Sequence, residues 1–207
     1  MNYKRMSGDE EFTLNGVSQK FKLIDFWRFQ FPNIYDLQSK IAEFLVAKAL
    51  GQRDAHNIDY WTLYDIDYQN LRIEVKETSY YHSWSGDNVF SEQRTFGITK
   101  ANSSYQANTE HPGEEHENKY ERQNDIYVFC LNTGTTRADS YPLELANWEF
   151  YVVPTFVINE NCGDNKSITL NRVRTLTACV GYPELKDAID EAVAKVKEWQ
   201  ARQEVSE

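Results

Sequence analysis

Apolar residues recur every three or four positions in two stretches, one towards each end of the chain. The first follows Pro32 and runs from Asn33 to Gly51, a glycine that favours the end of a helix. The second covers residues 183–202. Its apolar positions fall on one helical stripe, formed by Leu185, Ile189, Ala192, Val193, Val196 and Trp199. Both stretches predict amphipathic helices that bury one face.

Strand-like patterns lie between the two predicted helices. Residues 61–68 and 71–79 alternate between apolar and polar positions, and the Gln69-Asn70 pair between them fits a two-residue hairpin turn, because asparagine tolerates a left-handed backbone. Runs rich in Val, Ile, Phe and Tyr predict two further strands, at residues 126–131 and 148–158, and residues 168–177 are a third candidate strand. Residues 1–31 show no regular pattern. Helix, hairpin, strands and helix predict an α/β or α+β fold around a central sheet.

The length of 207 residues fits a single domain over residues 1–207, in which the polar stretch at about 82–125 is a long insertion or the surroundings of an active site. No apolar run approaches the roughly 20 residues of a membrane span, and the polar stretch from Met1 to Phe12 does not resemble a signal peptide. Three widely spaced cysteines favour neither a disulfide framework nor a Cys-x-x-Cys metal site. These features lead us to expect a cytoplasmic protein without a membrane partner.

The net charge of −10 argues against a nucleic-acid partner at first sight. Much of the acidity is local, however: Glu110–Asp125 carries six acids against two bases, and Pro183–Glu207 carries seven against four. The segment Arg72–Tyr105 is balanced, with four of each sign. DNA binding therefore stays possible, while the absence of a large basic footprint counts against tight nonspecific binding.

The predicted hairpin gathers charged residues on one face. With the turn at residues 69–70, Asp65 lies opposite Glu74, and Asp67 lies opposite Arg72. Strand alternation then places one charged set on a common face, namely Asp65, Asp67, Arg72, Glu74 and Lys76. The Asp67–Arg72 pair is an ordinary cross-strand ion pair, but two opposed carboxylates destabilise a sheet and raise the pKa of one of them.

A divalent cation would resolve the opposition between Asp65 and Glu74, because carboxylate oxygens suit Mg²⁺ or Mn²⁺. Lys76 lies two residues further along the same face, where an ammonium group can hold a water molecule or a developing negative charge. Two carboxylates, a metal and a lysine form an arrangement that cleaves phosphodiesters. A solvated polar face of a hairpin would show much the same spacing, so both interpretations stay open here.

The residues Asp65…Glu74-Val75-Lys76 resemble the motif of the PD-(D/E)xK nuclease superfamily, and the stretch from Leu37 to Trp84 looks like bacterial restriction-type nucleases. The resemblance implies a restriction-endonuclease-like fold, in which helices flank a central mixed sheet. It also implies metal ligands at Asp65, Glu74 and the Val75 backbone carbonyl, with Lys76 as a catalytic residue. Three features depart from the pattern: His82 stands where glutamine is expected, Asn70 stands where glycine is usual, and no proline precedes Asp65.

The family also carries a glutamate on the helix before the hairpin, and Glu43 matches that place. Its neighbours at helical spacing are Val46, Ala47 and Leu50. Because a carboxylate on an apolar stripe is turned away from solvent, we expect it to have a function at the site. The alternative is a glutamate at the helix edge that pairs with Lys40 or Lys48. Three residues after the strand are candidates for nucleic-acid contact or for packing: Tyr81, His82 and Trp84.

The sequence and the resemblance together lead us to expect a Mg²⁺-dependent endonuclease that acts on double-stranded DNA. Because duplex cleavage needs two active sites, we expect a homodimer. A neighbouring methyltransferase gene would indicate a restriction system. The alternatives are a catalytically silent nuclease-fold module that binds nucleic acid or protein, and a nuclease of DNA repair or recombination.

Overall fold

The computed structural model describes residues 6–52, 64–81, 93–102 and 120–205. The chain divides into two compact units, Met1–Leu37 and Gln38–Glu207. The single domain predicted over residues 1–207 stays a prediction.

The first unit contains regular structure that the sequence pattern did not predict. Strands β1 (Glu11–Leu14) and β2 (Val17–Lys22) form an antiparallel hairpin, followed by helix α1 (Leu23–Gln30) and a short 3₁₀ helix (Ile34–Leu37). The prediction that residues 1–31 are irregular is therefore wrong. Asn15 and Gly16 form the turn with φ values of 51° and 81°, and Asn-Gly is the pair that a type I′ hairpin turn favours.

The second unit is built around a four-stranded mixed sheet. The strand order is β3-β4-β8-β9, in which β4 and β8 are parallel and both outer pairs are antiparallel. Its elements are α2 (Gln38–Ala49), β3 (Ile66–Tyr68), β4 (Leu71–Ser79), β5 (Thr95–Gly97), β6 (Ala101–Asn102), β7 (Tyr120–Glu121), β8 (Ile126–Asn132), β9 (Trp148–Pro154), α3 (Thr155–Cys162), β10 (Ser167–Thr169), α4 (Leu170–Leu176) and α5 (Leu185–Glu204). The expected α/β fold with helices beside a mixed sheet is confirmed.

Strand β8 lies at the centre, and all seven of its residues are buried. Its side chains alternate between two hydrophobic clusters, because successive side chains in a strand point to opposite faces. Ile126, Val128 and Cys130 join a cluster with residues of α2 and α5, whereas Tyr127 and Phe129 join one with residues of β5, α3 and α4. The continuous apolar run of β8 is typical of a strand that is covered on both faces.

Helices α2 and α5 cover the first cluster as the sequence predicted. In α5 the buried positions are Leu185, Ile189, Ala192, Val193 and Val196. Trp199, also predicted on this stripe, is 37% exposed and stacks on Phe156 with a ring centroid distance of 5.3 Å. Helix α2 ends at Ala49, and the left-handed Gly51 (φ 71°) caps it: Gln52 N–H donates to Ala47 and Gly51 N–H donates to Lys48, the two bonds of a Schellman motif.

Two predicted strands end earlier than expected. The strand predicted at 148–158 stops at Pro154, and α3 follows at Thr155, since proline has no N–H to continue the ladder and its φ suits a helix start. The strand predicted at 168–177 is wrong beyond Thr169. There the Thr169 hydroxyl accepts a hydrogen bond of 3.2 Å from Arg172 N–H, and this cap begins helix α4.

Among the helices of the described residues, none combines the length and the apolar character that a membrane crossing requires.

Candidate active site

The hairpin of β3 and β4 has the register predicted from the sequence. Ile66 pairs with Ile73 and Asp67 with Arg72, and the turn residues 69–70 have φ values of 52° and 66°. The side chain of Arg72, however, pairs with Asp125: the Asp125 carboxylate accepts from the Arg72 backbone N–H at 2.8 Å and from its Nε at 3.4 Å. The predicted ion pair between Asp67 and Arg72 is therefore wrong, because an aspartate beside β8 that the hairpin pattern did not predict takes the place of Asp67.

Asp65 directly precedes β3, and both its backbone and its carboxylate bond to β4, the strand that carries Glu74. Its N–H donates to the carbonyl of Ile73 at 3.0 Å, and its Oδ2 accepts from the Val75 N–H at 2.7 Å. Because the N–H and C=O of one strand residue face the same edge, the Val75 carbonyl points towards Asp65 as well. The edge of β4 thus combines a carboxylate with a backbone oxygen.

Glu74 and Lys76 share the opposite pleat from Ile73 and Val75, as alternation predicted. The Nζ of Lys76 donates to Oε1 of Glu74 in a close ion pair. The Glu74 side chain is only 15% exposed and that of Lys76 is 34% exposed. The ammonium group of Lys76 therefore contacts a largely buried carboxylate and is itself closer to solvent.

Glu43 on α2 combines the two roles that the sequence left open: it pairs with a lysine of its own helix, and its charge acts on the acids of the hairpin. Lys40 Nζ lies 2.8 Å from each of its carboxylate oxygens, so the predicted pairing with Lys40 is present. The Glu43 side chain is 11% exposed, and its charge contributes to raising the pKa of both Asp65 and Glu74. Helix α2 therefore brings a third carboxylate into electrostatic range of the hairpin pair.

The carboxylates of Asp65, Glu74 and Glu43 are largely buried and repel one another. Burial raises the pKa of Asp65, and Glu43 raises it further, while the hydrogen bond from Val75 and the charge of Lys76 oppose the rise. Burial and the charge of Asp65 raise the pKa of Glu74 to about 7, even though Lys76 lowers it. Glu74 therefore binds a proton more readily than a free glutamate does, and additional positive charge would stabilise the cluster.

The donor set suits a hard divalent cation. Asp65 and Glu74 offer carboxylate oxygens and Val75 a carbonyl oxygen, and Mg²⁺ commonly takes one or two carboxylates and completes its shell with water. Within residues 6–52, 64–81, 93–102 and 120–205, no three or more His, Cys, Asp or Glu side chains gather closely enough to bind a metal by themselves. Any cation here would thus depend on the backbone oxygen, water and substrate for its other ligands.

The three residues predicted to touch nucleic acid are only partly described. Tyr81 is half-buried directly after β4, and its carbonyl accepts a hydrogen bond of 2.7 Å from the Ser79 hydroxyl. His82 and Trp84 lie outside the described residues, so their role stays a prediction.

A cavity of about 200 Å³ beside Glu74 and Lys76 was not predicted from the sequence. Its other walls come from the ends of β5 and β8, with Gly97, Ile98, Thr99, Gln123, Asn124 and Tyr127 among the lining residues. Tyr127 adjoins Glu74 because the two are partners in the parallel β4–β8 register. The only signal in the sequence was the polar stretch at 82–125, which indicated surroundings of an active site without indicating a pocket.

Comparison of the chain with protein-family models, with curated proteins and with solved structures finds no match.

Proposed function

We propose that this protein is a Mg²⁺-dependent DNA endonuclease of the PD-(D/E)xK type. It cleaves double-stranded DNA as a homodimer and belongs to a restriction system. The observation that carries the proposal is the repulsion between the largely buried carboxylates of Asp65 and Glu74, beside the ammonium group of Lys76. A structural role gives no reason to hold two acids in this arrangement, because it costs stability. A nuclease gains from it a site for a cation next to an ammonium group.

Each residue has a separate part in the proposed reaction. Asp65, Glu74 and the Val75 carbonyl would hold the cation, which when bound polarises the scissile phosphate and acidifies the attacking water. Lys76 lies where negative charge develops, so it orients the water or stabilises the pentavalent transition state. Glu43 bears on the same site from α2, where Lys40 holds its carboxylate in place.

The fold is compatible with the proposal. Helix α2 precedes the hairpin that carries the motif, and the motif strand β4 is followed by a parallel neighbour in the interior of a mixed sheet. This arrangement supports the restriction-endonuclease-like fold that the sequence resemblance implies. A methyltransferase gene beside the gene of this protein would favour restriction over repair or recombination.

The Lys76→Ala variant tests the proposal. Wild type and the variant are incubated with plasmid, phage and branched DNA in Mg²⁺, and DNA binding is measured in Ca²⁺. We expect wild type to cut and the variant to bind normally but to cut roughly 10²–10³ times more slowly, the usual cost of losing one such electrostatic group. Lys195→Ala, an exposed position on α5, is the matched control and should cut like wild type.

Three outcomes separate the alternatives. No cleavage by either protein, with DNA binding intact, would support the silent binding module. Equal cleavage by wild type and Lys76→Ala would show that the lysine is a surface residue and that the assigned mechanism is wrong. Cleavage of branched DNA alone would favour a repair or recombination nuclease.

A further inference from the structure

The cavity beside Glu74 and Lys76 has the properties of a nucleobase pocket. We propose that it receives the base of the nucleotide whose phosphate is cleaved, so that the enzyme acts on DNA in which this nucleotide is unstacked. The inference deepens the proposed nuclease function and rests on it. Enzymes that need access to an individual nucleotide commonly extrude it from the duplex or act on single strands.

The size of the cavity fits one planar ring. A cavity of roughly 150 Å³ in a protein interior accommodates benzene, and the cavity here measures about 200 Å³. The additional space suits the exocyclic groups of a pyrimidine.

The chemistry of the walls favours a neutral, partly polar ligand over a second phosphate. Apart from Glu74 and Lys76, the lining residues within the described part of the chain are uncharged. Gln123 and Asn124 bring amide groups that can pair with the edge of a base. A phosphate in the same place would be expected to find cationic side chains around it.

The two amides differ in how firmly they are held. Asn124 Nδ2 donates to the Ile126 carbonyl at 3.1 Å and to the Thr155 hydroxyl at 3.0 Å, which fixes its orientation. Gln123 Nε2 makes longer hydrogen bonds, 3.3 Å to the Glu121 carbonyl and 3.5 Å to the Ala101 carbonyl. Since hydrogen bonds weaken with length, Gln123 is the amide that can exchange its partners for a ligand most easily.

A buried arginine fixes the outer wall of the pocket before any ligand binds. Arg122 is 6% exposed, and its Nε donates to the carbonyl of Ile98 at 2.9 Å. Its remaining nitrogens donate to the Asn159 side chain at 2.6 Å and to the carbonyls of Gly163 at 2.9 Å and Asn165 at 3.1 Å. The wall that carries Ile98 is thereby tied to α3 and the turn after it, so binding does not have to order it.

The position of the pocket links it to the reaction. Tyr127 is the neighbour of Glu74 across the β4–β8 pair, and paired strands lie about 4.8 Å apart. A phosphate held at Lys76 therefore has its own sugar and base within reach of the cavity.

Gly97 offers a steric test. It lines the cavity, and a Cβ added at this position would meet no atom within 4 Å. Gly97→Leu should therefore fill space at the pocket without a backbone clash, and Gly97→Ala is the matched control. Both variants should unfold at the wild-type temperature, which a thermal melt checks.

The experiment measures binding and cleavage separately. Binding of thymidine 5′-monophosphate and of 2-deoxyribose 5-phosphate is followed by NMR titration in Ca²⁺, and cleavage of single-stranded circular DNA and of duplex plasmid DNA is followed in Mg²⁺. We expect wild type to bind the nucleotide at least tenfold more tightly than the sugar phosphate. Gly97→Leu should remove this preference, and Gly97→Ala should keep it.

The outcomes distinguish this inference from the nuclease function. If wild type cuts DNA but binds both ligands equally, or if Gly97→Leu keeps the preference, the base pocket is wrong and the nuclease stands. If wild type prefers the nucleotide but cuts no DNA, the nuclease function is overturned and a nucleotide-binding pocket is left. If it neither prefers the nucleotide nor cuts DNA, both are overturned.

Discussion

Replacing Glu74 with glutamine should stabilise the metal-free protein at neutral and alkaline pH. Burial and Asp65 raise the pKa of Glu74 from 4.5 to about 7. A group whose pKa is higher in the folded protein binds more protons there, so its contribution to the free energy of unfolding is lost as pH rises from the unfolded to the folded pKa. Above pH 7 the ionised carboxylate therefore destabilises the fold relative to its neutral form.

The size of the effect follows from the pKa. One pKa unit corresponds to 1.36 kcal/mol, so the rise sets an upper value of about 3 kcal/mol. Glutamine keeps the shape of the side chain and an oxygen that can accept from Lys76, but it carries no charge to repel Asp65. We expect a gain of about 1–3 kcal/mol at pH 8 that shrinks towards zero near pH 4.5.

Urea unfolding from pH 4.5 to 8.5 in EDTA measures this difference. Glu198→Gln is the matched control, because Glu198 is 65% exposed on α5 and pairs with Arg202; it should change stability by less than about 0.5 kcal/mol. Millimolar Mg²⁺ should narrow the gap between wild type and Glu74→Gln, because only wild type keeps both carboxylates for the cation. Parallel stability curves for the two proteins across this pH range would refute the reasoning.

Three further results are expected. Calorimetric titration with Ca²⁺ should show affinity that rises up to tenfold per pH unit until about pH 7 and then levels off, because a proton competes for Glu74; equal affinity at pH 6 and pH 8 would remove Glu74 from the ligand set. Asp65→Asn should keep an acceptor for the Val75 N–H and so stay folded, while the same titration shows at least tenfold weaker Ca²⁺ binding; unchanged binding would contradict the site. Phe129→Ala should cost about 3–5 kcal/mol in urea unfolding, whereas the 45% exposed Tyr141→Ala should cost far less; similar costs would mean that the core is misassigned.

The sequence predicted the hairpin correctly because its signals agree with one another. The apolar positions alternate on both sides of residues 69–70, so a slip of one residue would expose Ile66 and Ile73 to solvent. The same alternation places Glu74 and Lys76 on one face of β4. Asp65, however, directly precedes β3: the strand pairing ends at Ile66 and Ile73, and the Asp65 N–H donates to the Ile73 carbonyl. The shared face of Glu74 and Lys76 was therefore predictable from local pattern, whereas the pairing of Asp65 with Glu74 stays a prediction.

Other parts of the fold depend on signals that compete. The β-branched residues of 168–177 favour a strand, but the cap formed by Thr169 starts a helix after only three strand residues. The cavity could not be predicted, because its walls come from segments that are distant along the chain. They meet only once the parallel pairing of β4 with β8 and the bonds of Arg122 are formed.

Lys40 and Lys76 act as counterions within the candidate site. The balance between these two lysines and the neighbouring carboxylates determines the net charge of the site. Lys40 holds Glu43 and Lys76 holds Glu74, so with Asp65 included three carboxylates face two ammonium groups and the fully ionised cluster has a charge of −1. A bound divalent cation would change that charge to +1. The same patch would then repel a DNA backbone in the absence of metal and attract it in its presence. Under the proposed nuclease function, metal loading would therefore favour the binding of nucleic acid as well as its cleavage.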